Sequence, residues 1–322
     1  MKLITGLGAL LWVGVFLGAV VVGCVTDKAK DNEEQALEDM TPEEQQAYFD
    51  YKAEIEIGRK MASRLLGFYG TYPDKELAEY INRVGLLVAS YSDFPERRYM
   101  FAIMDTEEVN AFASPGGYIL VSLGAIRLAE NEAQLAMVLG HEVAHVGKKH
   151  MMDTLKRMEE EEEKKKKKEE ITDPPPLAVL MRHRVDPKAQ EEEGSTSAAL
   201  AKYLGGGAAA TINVVKAASA GMSTLLEKGI DHSLEYEADE EGTKYAIRAG
   251  YKPDAAVIFL NNLKKKISKK NSVFTKTHPS VKTRITKVEN VLKEIGDDEI
   301  VGATGKKRFA KFHKRLKAPS KG

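Results

Sequence analysis

The pentapeptide His141-Glu142-Val143-Ala144-His145 constrains this chain more than any other stretch. It lies in an apolar-periodic segment from about Asn131 to Leu155, in which Leu135, Val138, Leu139, Val143 and Ala144 predict a buried helix. On a helix, residues four apart stack on one face about one turn from each other, so the two imidazoles can grip a single ion. Glu142 then projects beside that ion, where it can take a proton from a water that the ion has made more acidic. With 7 histidines and 48 acidic residues among 322 positions, random placement yields on the order of 0.02 such motifs per chain. A chain carrying it on a buried helix is therefore expected to hold a metal, and zinc suits two histidines with an acid between them.

The single cysteine excludes an intrachain disulfide framework and any zinc site built from several thiolates, so the remaining ligand must be a histidine or a carboxylate. His150 is a candidate by distance along the chain, but the metzincin pattern requires glycine and histidine where this sequence has Lys148 and Met151. That class is rejected, and His150 is expected to tolerate change. Downstream, Glu235-Tyr236-Glu237-Ala238-Asp239 falls in a helix predicted from about Asp231 to Ala249, with Gly250 as its stop. Glu235 and Asp239 share a face, whereas Glu237 is turned away. One carboxylate of the pair can bind zinc while the other orients a ligand histidine through its second ring nitrogen. Acidic helix faces are commonly just solvated; beside the histidine pair this one reads as part of the site.

The rest of the chain supplies context. Lysines plus arginines and acids number 48 each, so the net charge is zero and nothing points to nucleic acid. Hydrophobic residues make up 43% and charged residues 30%, which excludes both a disordered chain and a polytopic membrane protein. Met1 and Lys2 precede an apolar run to Val22, with small residues before the lone Cys24, which reads as a signal peptide over 1–23 whose cleavage leaves an acylated cysteine. An uncleaved membrane anchor is the alternative; either puts the remainder outside the cytoplasm. Residues 24–50 read as an acidic linker, 51–300 as the metallopeptidase domain and 301–322 as a basic tail. Near the end of the linker, Thr41-Pro42-Glu43-Glu44 predicts the cap of a long helix that runs into the domain to about Phe68, and a second helix begins at Asp74. Tyr99 to Met104 and Tyr118 to Leu123 read as strands, with a turn at Pro115-Gly116-Gly117. Residues 156–196 look like a charged insertion, with Glu160 to Glu163 each facing a lysine four residues on and Pro174 to Pro176 breaking the helix. Ser197 to Gly229, rich in small apolar residues, reads as a helical flap or membrane-surface segment. In the tail, Phe309, Phe312 and Leu316 fall at helical spacing among basic residues, an arrangement suited to anionic lipid or an acidic partner, or to a frayed end.

Taken together, His141-Glu142-x-x-His145, Glu235-x-Glu237-Ala238-Asp239, Asn110-Ala111-Phe112-Ala113-x-Pro115-Gly116-Gly117 and His278-Pro279 followed by Arg284-Ile285 resemble the gluzincin metallopeptidase family of HtpX and the CAAX prenyl protease. The soluble periplasmic lipoprotein branch fits best, over roughly Ile55 to Val291. The resemblance implies an α+β, predominantly α-helical zincin-type domain with a small β-sheet whose edge strand, Asn110 to Ala113, faces the active-site cleft and receives substrate. It implies one Zn2+ per chain held by His141, His145 and Glu235, with Asp239 behind a ligand histidine and Glu142 as base. It also implies that His278 can fill a fourth zinc position and that Arg284 can act as an oxyanion donor. By the same likeness the enzyme is expected in the periplasm, lipid-anchored through Cys24. Val25 after that cysteine resembles outer-membrane sorting in diderm bacteria, and the expected work is cleavage of unfolded or misassembled envelope proteins. A holding chaperone with a latent zinc site is the alternative, against which the presence of Glu142 weighs. The insertion and the absence of tetratricopeptide repeats after the domain depart from the soluble members.

Overall fold

A computed structural model describes residues 36–172, 229–267, 277–296 and 302–317, with side chains from 166 to 172 and at 317 left out. The chain divides at Phe49 into two units, of which Asp50–Gly322 carries the sheet, the core and the cluster of site residues. The leader, Cys24, the proline run and the small-residue flap lie outside the described residues. Among those described, no helix is long and apolar enough to cross a membrane.

Helix α1 spans Pro42–Tyr69, and its start forms the expected capping box: Glu44 N–H donates to Thr41 Oγ1 at 3.3 Å while Thr41 N–H donates to Glu44 Oε2 at 2.8 Å. Helix α2 spans Lys75–Ser90, capped by Asp74, and buries Leu77, Ile81, Val84 and Val88. A mixed sheet follows, made of β1 (Met100–Met104), β2 (Ala111–Ser114) and β3 (Tyr118–Ser122) in the order β1-β3-β2. β1 runs parallel to β3, and β2 returns antiparallel with Ala111 opposite Val121 and Ala113 opposite Ile119. The β2–β3 turn at Pro115–Gly117 requires its glycines: Gly117 has φ 87° and an added Cβ would sit 1.6 Å from the Arg98 carbonyl oxygen.

Helix α3 (Leu123–Leu128) leads to α4 (Glu132–Gly147), which crosses the centre of the core with almost every residue buried. Here the structure corrects the expectation of one helix to Leu155. The chain breaks after Gly147, Lys149 adopts φ 58°, and α5 begins afresh at His150 and runs to Thr172. A left-handed conformation at a lysine costs about 1–2 kcal/mol; Glu54, buried on α1, offsets it by pairing with Lys149 Nζ at 3.1 Å. Helices α6 (His232–Arg248), α7 (Ala255–Lys266) and α8 (Val281–Ile295) complete the layer around α4. The α4–α6 crossing is close because glycines face each other: a Cβ on Gly140 would meet Gly242 O at 2.6 Å, and one on Gly242 would meet His141 N at 2.4 Å.

The C-terminal segment is not a separate tail. Helix α9 (Lys306–Lys317) inserts Phe309, Phe312 and Leu316 into the main core, so its apolar face rests on the domain instead of facing lipid. Phe312 stacks on Tyr80 at 4.5 Å between centroids, Arg308 Nη2 pairs with buried Glu132 at 2.5 Å, and Lys311 and Arg315 meet Glu76. Glu132 stands in the first turn of α4, so α9 buttresses the helix that carries the histidines. Phe309 is fully buried, and Phe309→Ala is expected to destabilise the protein by about 3–5 kcal/mol in urea unfolding. An unchanged midpoint would mean that the helix is undocked in solution.

Candidate metal centre

α4 presents His141 and His145 on one face, as four-residue spacing dictates, and the glycine-mediated approach of α6 brings Glu235 against them. His141 Nε2 and His145 Nε2 are 3.0 Å apart. Glu235 Oε2 lies 3.7 Å from His141 Nε2, and Oε1 lies 3.5 Å from His145 Nε2. All three side chains are buried, and Glu235 Oε2 has no hydrogen-bond partner among the described residues. A buried carboxylate oxygen left without a hydrogen bond beside two converging imidazole nitrogens is unfavourable without a cation among them. Tetrahedral zinc bonds of about 2.0–2.1 Å place ligand atoms about 3.3 Å apart, so the donor set fits zinc. Burial and the neighbouring positive charges push His145 well below its ordinary pKa, which leaves a neutral ring with a lone pair to offer.

Behind His141, Nδ1 is 3.0 Å from Asp239 Oδ1. Asp239 in turn accepts from Arg284 Nε at 2.7 Å and Nη2 at 2.6 Å. Burial alone would raise the Asp239 carboxyl, but the Arg284 guanidinium and the contact with His141 hold it far below the usual range. The structure thus places Arg284 as a buried clamp on Asp239 that also lines the cleft. His278 lies beside the cluster with Nε2 3.7 Å from Glu235 Oε2, and burial lowers it to about 4. Glu142 is buried next to His141, and desolvation pushes its carboxyl up to about 7.

The cleft in front of these groups is lined by Val109, Asn110 and Ala111 on one side and by Met137, Phe259 and Leu263 among its apolar floor. β2 is one of the two edge strands of the sheet, and its first residue borders this cleft. Phe112 instead stacks on Tyr69 at 6.4 Å, and Ala113 is buried, so the cleft meets only the start of the expected stretch from Asn110 to Ala113.

A model of peptidase family M48 matches residues 75–161 and 185–292, about three-fifths of the chain. The chain belongs to peptidase family M48. This M48 chain is 32% identical over 98 residues to the beta-barrel assembly-enhancing protease of Escherichia coli strain K12, covering 30% of this chain and 20% of that protein. It is 39% identical over 84 residues to the putative beta-barrel assembly-enhancing protease of Vibrio cholerae, covering 26% and 17%. With the mitochondrial metalloendopeptidase OMA1 of Bos taurus it shares 31% over 67 residues, covering 20% and 13%. Each match spans a fifth or less of the relative's length.

As an M48 metalloprotease, the chain has the α+β fold and the histidine–histidine–glutamate cluster that its sequence implied. Sequence reasoning missed the facing glycines Gly140 and Gly242, whose spacing from the ligands would have suggested close helix approach. It also set His150 aside as tolerant of change, whereas that residue is 2% exposed and touches His145.

Proposed function

We propose that this M48 peptidase is a zinc-dependent endopeptidase of the bacterial cell envelope that cleaves misfolded or misassembled envelope proteins. The observation that carries the chemistry is the convergence of His141, His145 and Glu235 within 4.8 Å, with Glu142 beside them at the wall of an open cleft. Bound zinc would supply a Lewis acid for the scissile carbonyl and increase the acidity of water. Glu142 would accept a proton from the attacking water and deliver it to the departing amine. Asp239, fixed by Arg284, would keep His141 in the tautomer whose Nε2 lone pair faces the ion. A substrate strand would enter along the start of β2, where recognition through backbone groups imposes little sequence preference. The apolar floor formed by Met137, Phe259 and Leu263 would favour the exposed hydrophobic segments of unfolded clients.

The cellular setting rests on the apolar leader ending at Cys24 and on the bacterial relatives, which are named as proteases that enhance β-barrel assembly. In this reading Cys24 carries lipid and holds the domain in the periplasm, at the outer membrane. The test is digestion of an unfolded protein such as casein by the purified, zinc-supplemented chain. Cleavage abolished by a chelator and restored by zinc is the expected result. Client binding without cleavage in the presence of zinc would overturn the protease reading in favour of the holding chaperone.

A further inference from the structure

The two histidines of the cluster are supported from behind in different ways. His141 meets the carboxylate of Asp239 directly, whereas His145 meets a third histidine: its Nδ1 lies 2.9 Å from Nδ1 of His150. The rings stand edge to face, with centroids 5.0 Å apart and an interplanar angle of 79°. Two facing ring nitrogens allow only one proton between them, so which ring carries it is a structural choice. If His145 offers the Nε2 lone pair toward Glu235 and His141, its proton sits on Nδ1 and must be donated to an unprotonated Nδ1 of His150. The proton of His150 then sits on Nε2, and that atom lies 3.3 Å from Oε2 of Glu237, near it but out of line for a hydrogen bond. The other oxygen of Glu237 is 3.3 Å from Lys148 Nζ.

We propose that His150 is the positioning residue for His145, the middle member of a Glu237–His150–His145 chain that fixes the ligand's tautomer and ring orientation and so sets how tightly the site holds its metal. Its own position is over-determined. His150 opens α5 immediately after the left-handed Lys149, its ring is buried, and its carbonyl accepts from Thr154 Oγ1 at 2.8 Å. The helix break is what folds the ring back over His145; a continuous helix would carry residue 150 five positions, or 500°, beyond residue 145 and onto a different side. Helix α6 therefore supplies Glu235 as a direct neighbour of both histidines, Asp239 behind His141, and Glu237 behind His150. Asp239 is 6% exposed, whereas the Glu237 side chain is 43% exposed, so only the His145 branch reaches solvent.

This inference rests on the reading of His145 as a zinc ligand, and the experiment separates the two. Zinc affinity is measured by chelator competition on full-length protein, for the wild type and for His150→Leu, His150→Asn and Glu237→Gln, with thermal unfolding of each metal-free protein as a check on folding. A wild type that binds no zinc would remove the ligand reading itself. If the wild type binds, His150→Leu is expected to weaken zinc by about ten- to a hundredfold, the range for loss of a group hydrogen-bonded to a ligand histidine. His150→Asn places a carbonyl oxygen near the former Nδ1, accepts the same proton, and is expected to recover most of the affinity. Glu237→Gln is expected to lose less than His150→Leu. Wild-type affinity in a folded His150→Leu protein, or an equal loss in folded His150→Asn, would overturn the assignment. If His150→Leu fails to fold, the Asn variant decides: affinity within about threefold of wild type supports the acceptor role, and a loss of tenfold or more refutes it.

Discussion

Glu142→Gln is expected to lower turnover of an unfolded protein substrate by about 10²–10⁴-fold while zinc content stays at the wild-type level. Glutamine has nearly the same size and keeps an acceptor oxygen, so the packing of α4 and the three proposed ligands are undisturbed. What disappears is the ability to take up and release a proton. The protein has prepared that ability: desolvation lifts the carboxyl to about 7, and the charges of Glu235 and Asp239 push in the same direction against His141 and Arg284. A bound cation would pull the value back down, leaving a base that is ionised at neutral pH yet still strong enough to accept a proton. Zinc analysis of the purified variant together with a casein digestion time course decides the matter. Unchanged turnover would eliminate Glu142 as the base, and loss of zinc would mean that the substitution had damaged the site.

What the sequence made legible follows from periodicity. Helical spacing alone puts His141 over His145 and Glu235 over Asp239, and the glycine at 250, with φ 86°, ends α6 where the sequence predicted. Strands β1 and β3 and the proline–glycine turn were similarly readable, whereas β2 was expected only through the family resemblance. Less legible were features that depend on partners far along the chain. The break at Lys149 uses a residue type that carries no helix-stop signal, and its partner Glu54 is 95 residues away on α1. Without that break His150 would stay away from His145, so one unreadable backbone angle concealed a site residue. The tail shows the same limit: Phe309, Phe312 and Leu316 were recognisable as one helix face, but periodicity does not say whether such a face meets lipid or its own domain. Arg284 was recognised as a site residue, and only the fold revealed that Asp239 occupies two of its nitrogens.

That pairing sets up the second large effect. Asp239→Ala is expected to destabilise the protein by about 3–5 kcal/mol, because it leaves the Arg284 guanidinium buried and uncompensated in a site where both residues are 6% exposed. It also removes the group 3.0 Å from His141 Nδ1, so zinc affinity should fall by about ten- to a hundredfold. These consequences have different causes and can be separated. Adding Arg284→Met to Asp239→Ala removes the stranded charge and should restore most of the stability measured in urea, while His141 remains without its partner and zinc stays weakly held. Arg284→Met alone leaves Asp239 with His141, so it should retain more zinc than Asp239→Ala. If it nevertheless abolishes turnover with zinc fully bound, Arg284 also acts on the reacting carbonyl, as the family resemblance implied. A single Asp239→Ala variant as stable as the wild type would show that the ion pair is not held as drawn. A double variant with restored zinc affinity would show that the charge on Arg284, and not the orientation of His141, had weakened the metal.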